Sequence, residues 1–284
     1  MNKAKMMAMV RKKSQESGIS INTLLLLFFF EQFLNRIADS EYKNCFVLKG
    51  GFLLSSLMGI ESRTTVDMDM SLRNLNLSEQ VIEQVICQIA AIDLNDNITF
   101  EYKGASEIKA MDDYPGLRVS LVGHMENIRQ PFSIDIATGD PITPGAVKYQ
   151  YASVFDKNAH TEIFAYNVET IIAEKLETIS SKKLENGRSK DFYDLFLIFS
   201  LDKKEINREK LTAAVDNTFK HRGTDSNANE IIKTLELIRG DESFRDRWSR
   251  YCKKNPYVHD CTLDQVINTI ENGVRTYLVT ADNI

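Results

Sequence analysis

The chain has 284 residues, with 35 Lys and Arg against 40 Asp and Glu, which gives a formal net charge of −5 at pH 7. Apolar residues make up 43% and charged residues 26%, so the composition is that of an ordinary globular protein and excludes global disorder. The acidic balance excludes the simplest kind of nucleic-acid coat protein, although a local basic groove is compatible with it.

The first half of the chain mixes helix and strand signals. The apolar run Leu24–Phe30 has seven residues, far short of the roughly 20 that span a bilayer, and it predicts the buried part of a helix over residues 20–38. The remaining predicted elements of this half are strands over residues 44–48, 65–72, 98–102, 117–122 and 132–137, and helices over residues 51–58 and 78–92.

From Asn167 onward the pattern is helical. Apolar residues recur at three- and four-residue spacing behind Asn167, which is a candidate N-cap. Further helices are predicted over residues 191–199, 208–218, 228–238 and 263–279. The composition changes between residues 140 and 165. The sequence therefore predicts an α+β domain over residues 1–160, with a mixed sheet and flanking helices, followed by a helical domain over residues 161–284.

The four cysteines, at positions 45, 87, 252 and 261, form no C-x-x-C pair, which is typical of reduced thiols in a cytoplasmic protein. Cys252, His259 and Cys261 lie close together in sequence, but no fourth ligand stands nearby, so a zinc site is not the favoured interpretation. No membrane association is expected from the apolar run, because Glu31 and Gln32 follow where a signal peptide would have small residues.

The tripeptide Asp67-Met68-Asp69 carries the clearest chemical signal. In a strand, residues two apart point to the same face, so both carboxylates would project together and repel each other. A hard divalent cation such as Mg²⁺, which also binds substrate phosphates, would relieve that repulsion. A solvated strand face explains an isolated Asp-x-Asp equally well.

The context of this pair favours a binding site. A strand ends at Lys49, and a helix begins at the glycines Gly50 and Gly51. Glycines at such a turn let backbone N–H groups approach an anion, and a helix N-terminus favours negative charge. Asp135 stands in the middle of another apolar strand, an expensive place for a charge unless it is paired or bound to metal. Three carboxylates and two Mg²⁺ ions make the usual site for in-line phosphoryl or nucleotidyl displacement.

Several blocks of the chain resemble the AbiEii/AbiGii toxin family, a branch of the polymerase-β-like nucleotidyltransferase superfamily found in abortive-infection and toxin–antitoxin systems. The similar blocks lie in order between residues 33 and 199. They are residues 33–36 (FLNR) with Ser40, 46–54 (FVLKGGFLL), 63–69 (RTTVDMD), 133–140 (SIDIATGD), 173–176 (AEKL) and 190–194 (KDFYD).

The resemblance implies a role for each matching residue. Lys49, Gly50 and Gly51 would bind the nucleotide triphosphate, with Ser55 as an additional candidate. Asp67 and Asp69 would hold Mg²⁺, with two ions expected, and Asp135 would be the third carboxylate and metal ligand. From the helical domain, Lys175 would contact the NTP phosphates and Asp191 would lie beside it. Many members of the superfamily have Gly-Ser where this chain has Gly50-Gly51, so backbone amides would take over the role of that serine.

Some of these residues also have ordinary structural explanations. Lys175 on a helix with an apolar stripe is as often a surface lysine with its stem against the core. Asp191 and Asp194 are three apart near a helix start, where Asp is commonly a cap or a dipole partner. The cations Lys182, Lys183, Arg188 and Lys190 form either an ordinary charged loop or a surface for an RNA backbone.

Three functions are compatible with the sequence. The favoured one is a Mg²⁺-dependent enzyme that moves a nucleoside monophosphate from an NTP to an acceptor hydroxyl. The family resemblance points to RNA, with the 3′ end of tRNA as the expected acceptor, and to a cognate antitoxin as partner. The alternatives are a non-catalytic sensor that binds an NTP such as GTP, and a nucleotidyltransferase acting on a small molecule. A sensor has little reason to keep Asp135, which favours the enzyme.

Overall fold

The computed structural model of the protein describes residues 1–108, 116–200, 206–258 and 261–279. Residue contacts divide the chain into two compact units. The first comprises Met1–Gly139 and Val147–Ala165, and the second comprises Asp140–Ala146 and Tyr166–Ile284. The segment 140–146 thus interrupts the first unit and packs with the second.

The first unit holds four α-helices and all the β-strands among the described residues. The helices are α1 (Lys3–Ser17), α2 (Ile21–Asp39), α3 (Gly50–Met58) and α4 (Glu79–Ala90). The strands are β1 (Phe46–Lys49), β2 (Met68–Leu72), β3 (Thr99–Glu107), β4 (Gly116–Met125), β5 (Ile128–Ala137), β6 (Val147–Ala152) and β7 (His160–Ala165).

Within the described residues the strands form one mixed sheet in the order β3-β4-β5-β2-β1-β7-β6. Strand β2 pairs with β1 in antiparallel and with β5 in parallel orientation. Strands β3, β4 and β5 form an antiparallel meander, and β1 pairs in parallel with β7. The two strands that carry Asp69 and Asp135, β2 and β5, are therefore direct neighbours in the middle of the sheet.

Helix α2 supplies much of the core of the first unit. It starts after Ser20, whose hydroxyl accepts from the N–H of Thr23, and its phenylalanines pack edge to face on the rings of the sheet. The rings of Phe30 and Phe132 have centroids 5.6 Å apart. By length and composition α2 could cross a membrane, but the apolar side chains from Leu24 to Phe30 include five that are fully or almost fully buried in the protein. Packing in the core thus accounts for the apolar run.

Helix α2 also carries a buried carboxylate. Glu31 is 3% exposed and accepts hydrogen bonds from Tyr151 Oη (3.1 Å), Ser153 Oγ (2.7 Å) and the N–H of Val154 (2.6 Å). Burial raises the pKa of Glu31 to about 7, although the three hydrogen bonds oppose that increase. The side chain connects α2 to the end of β6 and the residues that follow it.

We expect Glu31→Gln to flatten the pH dependence of stability between about pH 5 and 8. The folded state of the wild type binds a proton at Glu31 that the unfolded state releases near its ordinary pKa of 4.5, so stability falls as pH rises through 7. The difference between a pKa of 4.5 in the unfolded chain and about 7 in the folded protein lowers the free energy of unfolding by about 3 kcal/mol as the pH rises across this range. Urea unfolding at several pH values measures the effect, with the exposed Glu162→Gln as the control. An unchanged pH slope in Glu31→Gln would show that Glu31 does not titrate in this range.

The second unit is helical within its described residues. Its helices are α5 (Val168–Lys182), α6 (Ser189–Phe199), α7 (Arg208–His221), α8 (Ala228–Gly240), α9 (Glu242–Lys254) and α10 (Leu263–Leu278). Their apolar faces form a core in which the rings of Phe192 and Phe244 have centroids 4.8 Å apart. Arg222 binds Asp140 and Glu177, each at 2.9 Å, and so attaches the segment 140–146 to these helices.

The α+β class and the mixed sheet followed by helices are confirmed, and most predicted elements occur within a few residues of their expected bounds. Four elements were not predicted: α1, β6, β7 and α9. Helix α1 buries only Met6 and Val10, which explains why its sequence shows no clear apolar stripe. Cys252 and Cys261 are free, half-buried thiols, and His259 lies outside the described residues.

Candidate active site

Four charged residues occupy matching register positions on four adjacent strands of the sheet. Lys49 on β1 pairs with Asp69 on β2, Asp69 pairs with Asp135 on β5, and Asp135 pairs with Arg118 on β4. Because directly opposite residues point to the same face of a sheet, these side chains form one row, which we call the charged row. The sequence predicted three of its members, and Arg118 was not among them.

Asp67 lies outside the strand. The predicted strand 65–72 begins only at Met68, so the expectation that both carboxylates belong to one strand is wrong for Asp67. The reason is a side-chain turn, in which Thr65 Oγ1 accepts from the N–H of Asp67 at 3.2 Å and Val66 is 58% exposed. Asp67 is exposed immediately before β2, whereas Asp69 is half-buried within it.

The turn between β1 and α3 is built closely around Asp69. Gly50 has φ +66°, and a Cβ placed on it would lie 2.0 Å from Asp69 Oδ2. At Gly51, a Cβ would lie 2.7 Å from Thr65 Oγ1. The first position requires glycine for its backbone conformation as well as for space, and the second leaves no room for a serine side chain without movement of Thr65. The two glycines thus let the N-terminus of α3 approach the acidic residues.

Gly50→Ala is expected to lower stability by about 1–3 kcal/mol and to reduce activity at least tenfold. Alanine at positive φ is strained, and its methyl group would push the Asp69 carboxylate out of position. Gly18→Ala is the matched control, since Gly18 has φ +72° with open space around it. Chemical denaturation and a transfer assay measure both effects. Equal stability losses with full activity in both variants would mean that the approach of Gly50 to Asp69 has no functional importance.

Ser55 and Lys49 have different surroundings. Ser55 is 2% exposed and donates from Oγ to the carbonyl oxygen of Arg63 at 2.5 Å, so its hydroxyl holds the chain that leads to Thr65. Lys49 is half-buried at the end of β1 and stands opposite Asp69 in the charged row. Of these two side chains, Lys49 is the one that the register places beside the carboxylates.

Asp135 is held by Arg118. The guanidinium donates from Nε to Oδ1 and from Nη2 to Oδ2, both at 2.7 Å, and the side chains are 54% and 25% exposed, respectively. Asp135 raises the pKa of Arg118 above its ordinary value, partial burial opposes this, and Asp67 and Asp69 add to the increase. The charge of the strand carboxylate is therefore paired, and Arg118 experiences the field of all three acidic residues.

The donor set of this site matches Mg²⁺ in part. Among the described residues, no group of three or more His, Cys, Asp and Glu side chains is arranged to hold a metal ion. Asp67 and Asp69 nevertheless supply hard carboxylate oxygens beside a glycine turn that has no Cβ in the way. Mg²⁺ is usually bound through one or two carboxylates together with substrate phosphates, so this pair fits the ion.

The second unit contains a separate cluster of charges. Lys175 Nζ on α5 donates to Asp191 Oδ1 and Asp194 Oδ2 on α6, both at 2.7 Å. The three side chains are 13%, 7% and 2% exposed. Burial alone would lower the pKa of Lys175, but the two carboxylates more than offset it, so the pKa lies above its ordinary value. Lys175 is thus neither a surface lysine nor a member of a simple basic patch, and its action on the same substrate as the charged row stays a prediction.

The sequence contained signals for the residues that were missed. Arg118 is the one charged residue in the predicted strand Leu117–Val122, just as Asp135 is the one charged residue in the predicted strand Phe132–Ala137. Opposite charges that interrupt two neighbouring apolar strands are candidates for a cross-strand pair. Asp194 stands three residues after Asp191, on the same helix face.

The class of protein, a nucleotidyltransferase, follows from the family whose model matches the chain. The profile of the nucleotidyl transferase AbiEii toxin family, from type IV toxin–antitoxin systems, matches residues 32–269. The chain belongs to this family, so it is a nucleotidyltransferase toxin of a toxin–antitoxin system, as its sequence blocks predicted. An antitoxin partner follows from that membership.

A solved structure shows the same fold at low sequence identity. The crystal structure of JHP933 from Helicobacter pylori aligns with a TM-score of 0.54 and 13% identity, covering 91% of this chain and 93% of that chain. A second H. pylori structure, with a provisional nucleotidyltransferase description, aligns with a TM-score of 0.48 and 13% identity over 91% of this chain and 96% of that chain. No curated protein sequence matches the chain.

Proposed function

We propose that this toxin uses Mg²⁺ to transfer a nucleoside monophosphate from an NTP to a hydroxyl group of RNA, with the 3′ end of tRNA as the expected acceptor. The observation that carries the proposal is the close approach of the Asp69 carboxylate to Gly50, where a Cβ would lie 2.0 Å from Oδ2, beside Asp135 on the neighbouring strand. This places an anion-favouring helix N-terminus next to carboxylates that suit Mg²⁺, the two requirements of a metal–triphosphate site.

The residues of the site have separable roles in this reaction. Asp67 and Asp69 would hold Mg²⁺, with Asp135 as the third ligand, and the ion supplies charge neutralisation at the phosphate oxygens when bound. The N–H groups at Gly50 and Gly51 and the ammonium of Lys49 orient the triphosphate. The acceptor oxygen forms a bond to the α-phosphorus, the bond to the bridging oxygen breaks, and pyrophosphate leaves. Asp135 orients the acceptor hydroxyl and takes up its proton.

RNA as acceptor is supported by the loop between α5 and α6. Lys183 and Arg188 are exposed there, and Lys190 is exposed in the first turn of α6. The Asn186 side chain is buried and donates to the carbonyl oxygen of Thr178 at 3.5 Å. An anchored loop that presents cations outward suits a phosphodiester backbone. NTPs and tRNA are cytoplasmic, and the free cysteines suit a reducing compartment, so we place the toxin and its antitoxin in the cytoplasm.

The proposed transfer is tested against the alternative that the sequence left open, a non-catalytic NTP-binding sensor, in which the Arg118–Asp135 pair has no catalytic role. In a sensor, Asp135 would serve only to fix Arg118, and the pair would never open. The two candidates make different predictions for a change at Asp135.

Asp135→Asn separates the enzyme from the sensor. We expect Mg²⁺–NTP binding to stay within about tenfold of the wild type while transfer falls by about a hundredfold or more, because a positioned acid–base group acts mainly in the transition state. Calorimetric titration with each NTP and label transfer to total RNA measure the two quantities on one preparation. Asp156→Asn, in an exposed loop, is the control. Tight NTP binding by a wild type that transfers nothing to any RNA would favour the sensor.

A further inference from the structure

Arg118 occupies the place of a cation among the three carboxylates. Its guanidinium takes both oxygens of Asp135 and lies in the field of Asp67 and Asp69. A divalent cation at these carboxylates would meet a guanidinium that already binds one of them, while Lys49, the other cation of the charged row, stands opposite Asp69. The structure therefore contains an internal competitor for the ion that the acidic residues attract.

The geometry makes this competition direct. Both oxygens of Asp135 accept from Arg118 at 2.7 Å in a two-pronged contact, so an ion that coordinates Asp135 from the side that Arg118 occupies must displace the guanidinium. Arg118 is 54% exposed, and an exposed ion pair is weak because water solvates the separated charges well. The free energy of ion binding is therefore sufficient to open the ion pair between Arg118 and Asp135.

We propose that Arg118 is a positioning residue that holds Asp135 in the metal-free protein and yields it when a divalent cation and nucleotide bind. The proposal rests on the proposed function, because it presumes a metal at the acidic residues. Its consequence is that the third carboxylate is oriented before the ion arrives and is not repelled by Asp69, its register partner. The cost is a lower affinity for the ion.

The sign of the effect on metal affinity tests the proposal. We expect Arg118→Gln to bind Mn²⁺ about three- to tenfold more tightly than the wild type, as measured by electron paramagnetic resonance of free Mn²⁺. A residue with only a structural role would leave the affinity unchanged or weaken it. Arg129→Gln, an exposed change on β5 six residues from Asp135, is the control for loss of a surface charge. Arg118→Lys keeps the charge but not the two-pronged contact, so its Mn²⁺ affinity should lie between those of the wild type and Arg118→Gln.

A double-mutant cycle shows whether the effect passes through Asp135. In an Asp135→Asn background, Arg118→Gln should change Mn²⁺ affinity less than about twofold, because the competed ligand is gone. If Arg118→Gln increases Mn²⁺ affinity as much in that background as in the wild type, Arg118 acts only through its long-range electrostatic field. That result would overturn the proposal. So would unchanged or weaker binding in Arg118→Gln.

The metal-free protein supplies a second measurement. Arg118→Gln should have a lower melting temperature than the wild type in EDTA, since Asp135 then lacks its two hydrogen bonds from Arg118, and saturating Mn²⁺ should narrow the difference. If saturating Mn²⁺ leaves the difference in melting temperature unchanged, Arg118 only stabilises the fold. Absence of Mn²⁺ binding in the wild type and in every variant, with or without NTP, would overturn the proposed function together with this inference, whereas equal binding in all of them would overturn this inference only.

Discussion

Asp69→Asn is expected to abolish nucleotidyl transfer and toxicity while the protein stays folded. Asparagine has nearly the same volume, so the close packing against Gly50 is preserved, but one charge of the pair proposed to bind Mg²⁺ is lost. Because Asp69 is the register partner of Asp135, loss of its charge also removes a repulsion. We expect a fall in activity of about a thousandfold or more, with stability within about 1 kcal/mol of the wild type or slightly higher.

Label transfer to RNA, growth arrest on expression and thermal melting without metal measure these effects together. Asp67→Asn should behave in the same way, with a smaller effect on stability because Asp67 is exposed. Asp156→Asn again serves as the matched control. If Asp69→Asn melts far below the wild type, the residue is structural and its assignment to Mg²⁺ fails.

Lys175→Ala is expected to destabilise the protein by about 3–5 kcal/mol, the usual consequence of removing one partner from a buried ion pair. The change leaves the carboxylates of Asp191 and Asp194, which are 7% and 2% exposed, without the cation that both of them contact. Helix propensity alone would favour the substitution, because Ala has a higher helix propensity than Lys. The burial of the cluster reverses that expectation. Lys220→Ala, an exposed lysine near the end of α7, is the control.

A compensated variant separates the stability of this cluster from its function. Lys175→Met combined with Asp191→Asn and Asp194→Asn removes all three charges and should recover most of the lost stability. We expect it to have less than about a tenth of the wild-type transfer activity, with a raised apparent KM for NTP. Full activity in the folded triple variant would contradict the assignment of Lys175 and Asp191 to the active site.

The sequence predicted those parts of the candidate site that are formed by short stretches of the chain, but not the contacts between separate elements. The turn at Gly50 and Gly51 and the carboxylates Asp67, Asp69 and Asp135 could be read directly, because each stands within or beside a short apolar strand. The pairing of Asp135 with Arg118 could not be predicted from the sequence, since this contact depends on the register of β4 against β5. The same holds for Lys175, whose partners are supplied by a different helix.

Two errors have a common physical cause. The strand was predicted to start at Thr65 because its residues alternate in polarity, but Thr65 folds its hydroxyl back onto the Asp67 backbone and delays the strand to Met68. Strands β6 and β7 were missed because β6 is an edge strand with Tyr151 as its one buried residue. In both cases the pattern of polar and apolar residues along the chain did not match the strand that forms.

The most direct measurement of the central claim uses NTPs labelled at either the α- or the γ-phosphorus. Purified protein is incubated with each NTP, Mg²⁺ and total RNA, and the label is followed in RNA and in pyrophosphate. The account predicts that α-label from at least one NTP enters RNA, that γ-label is released as pyrophosphate, and that EDTA or Asp69→Asn prevents both. Transfer of γ-label, or no transfer of α-label from any NTP to any RNA, would contradict it.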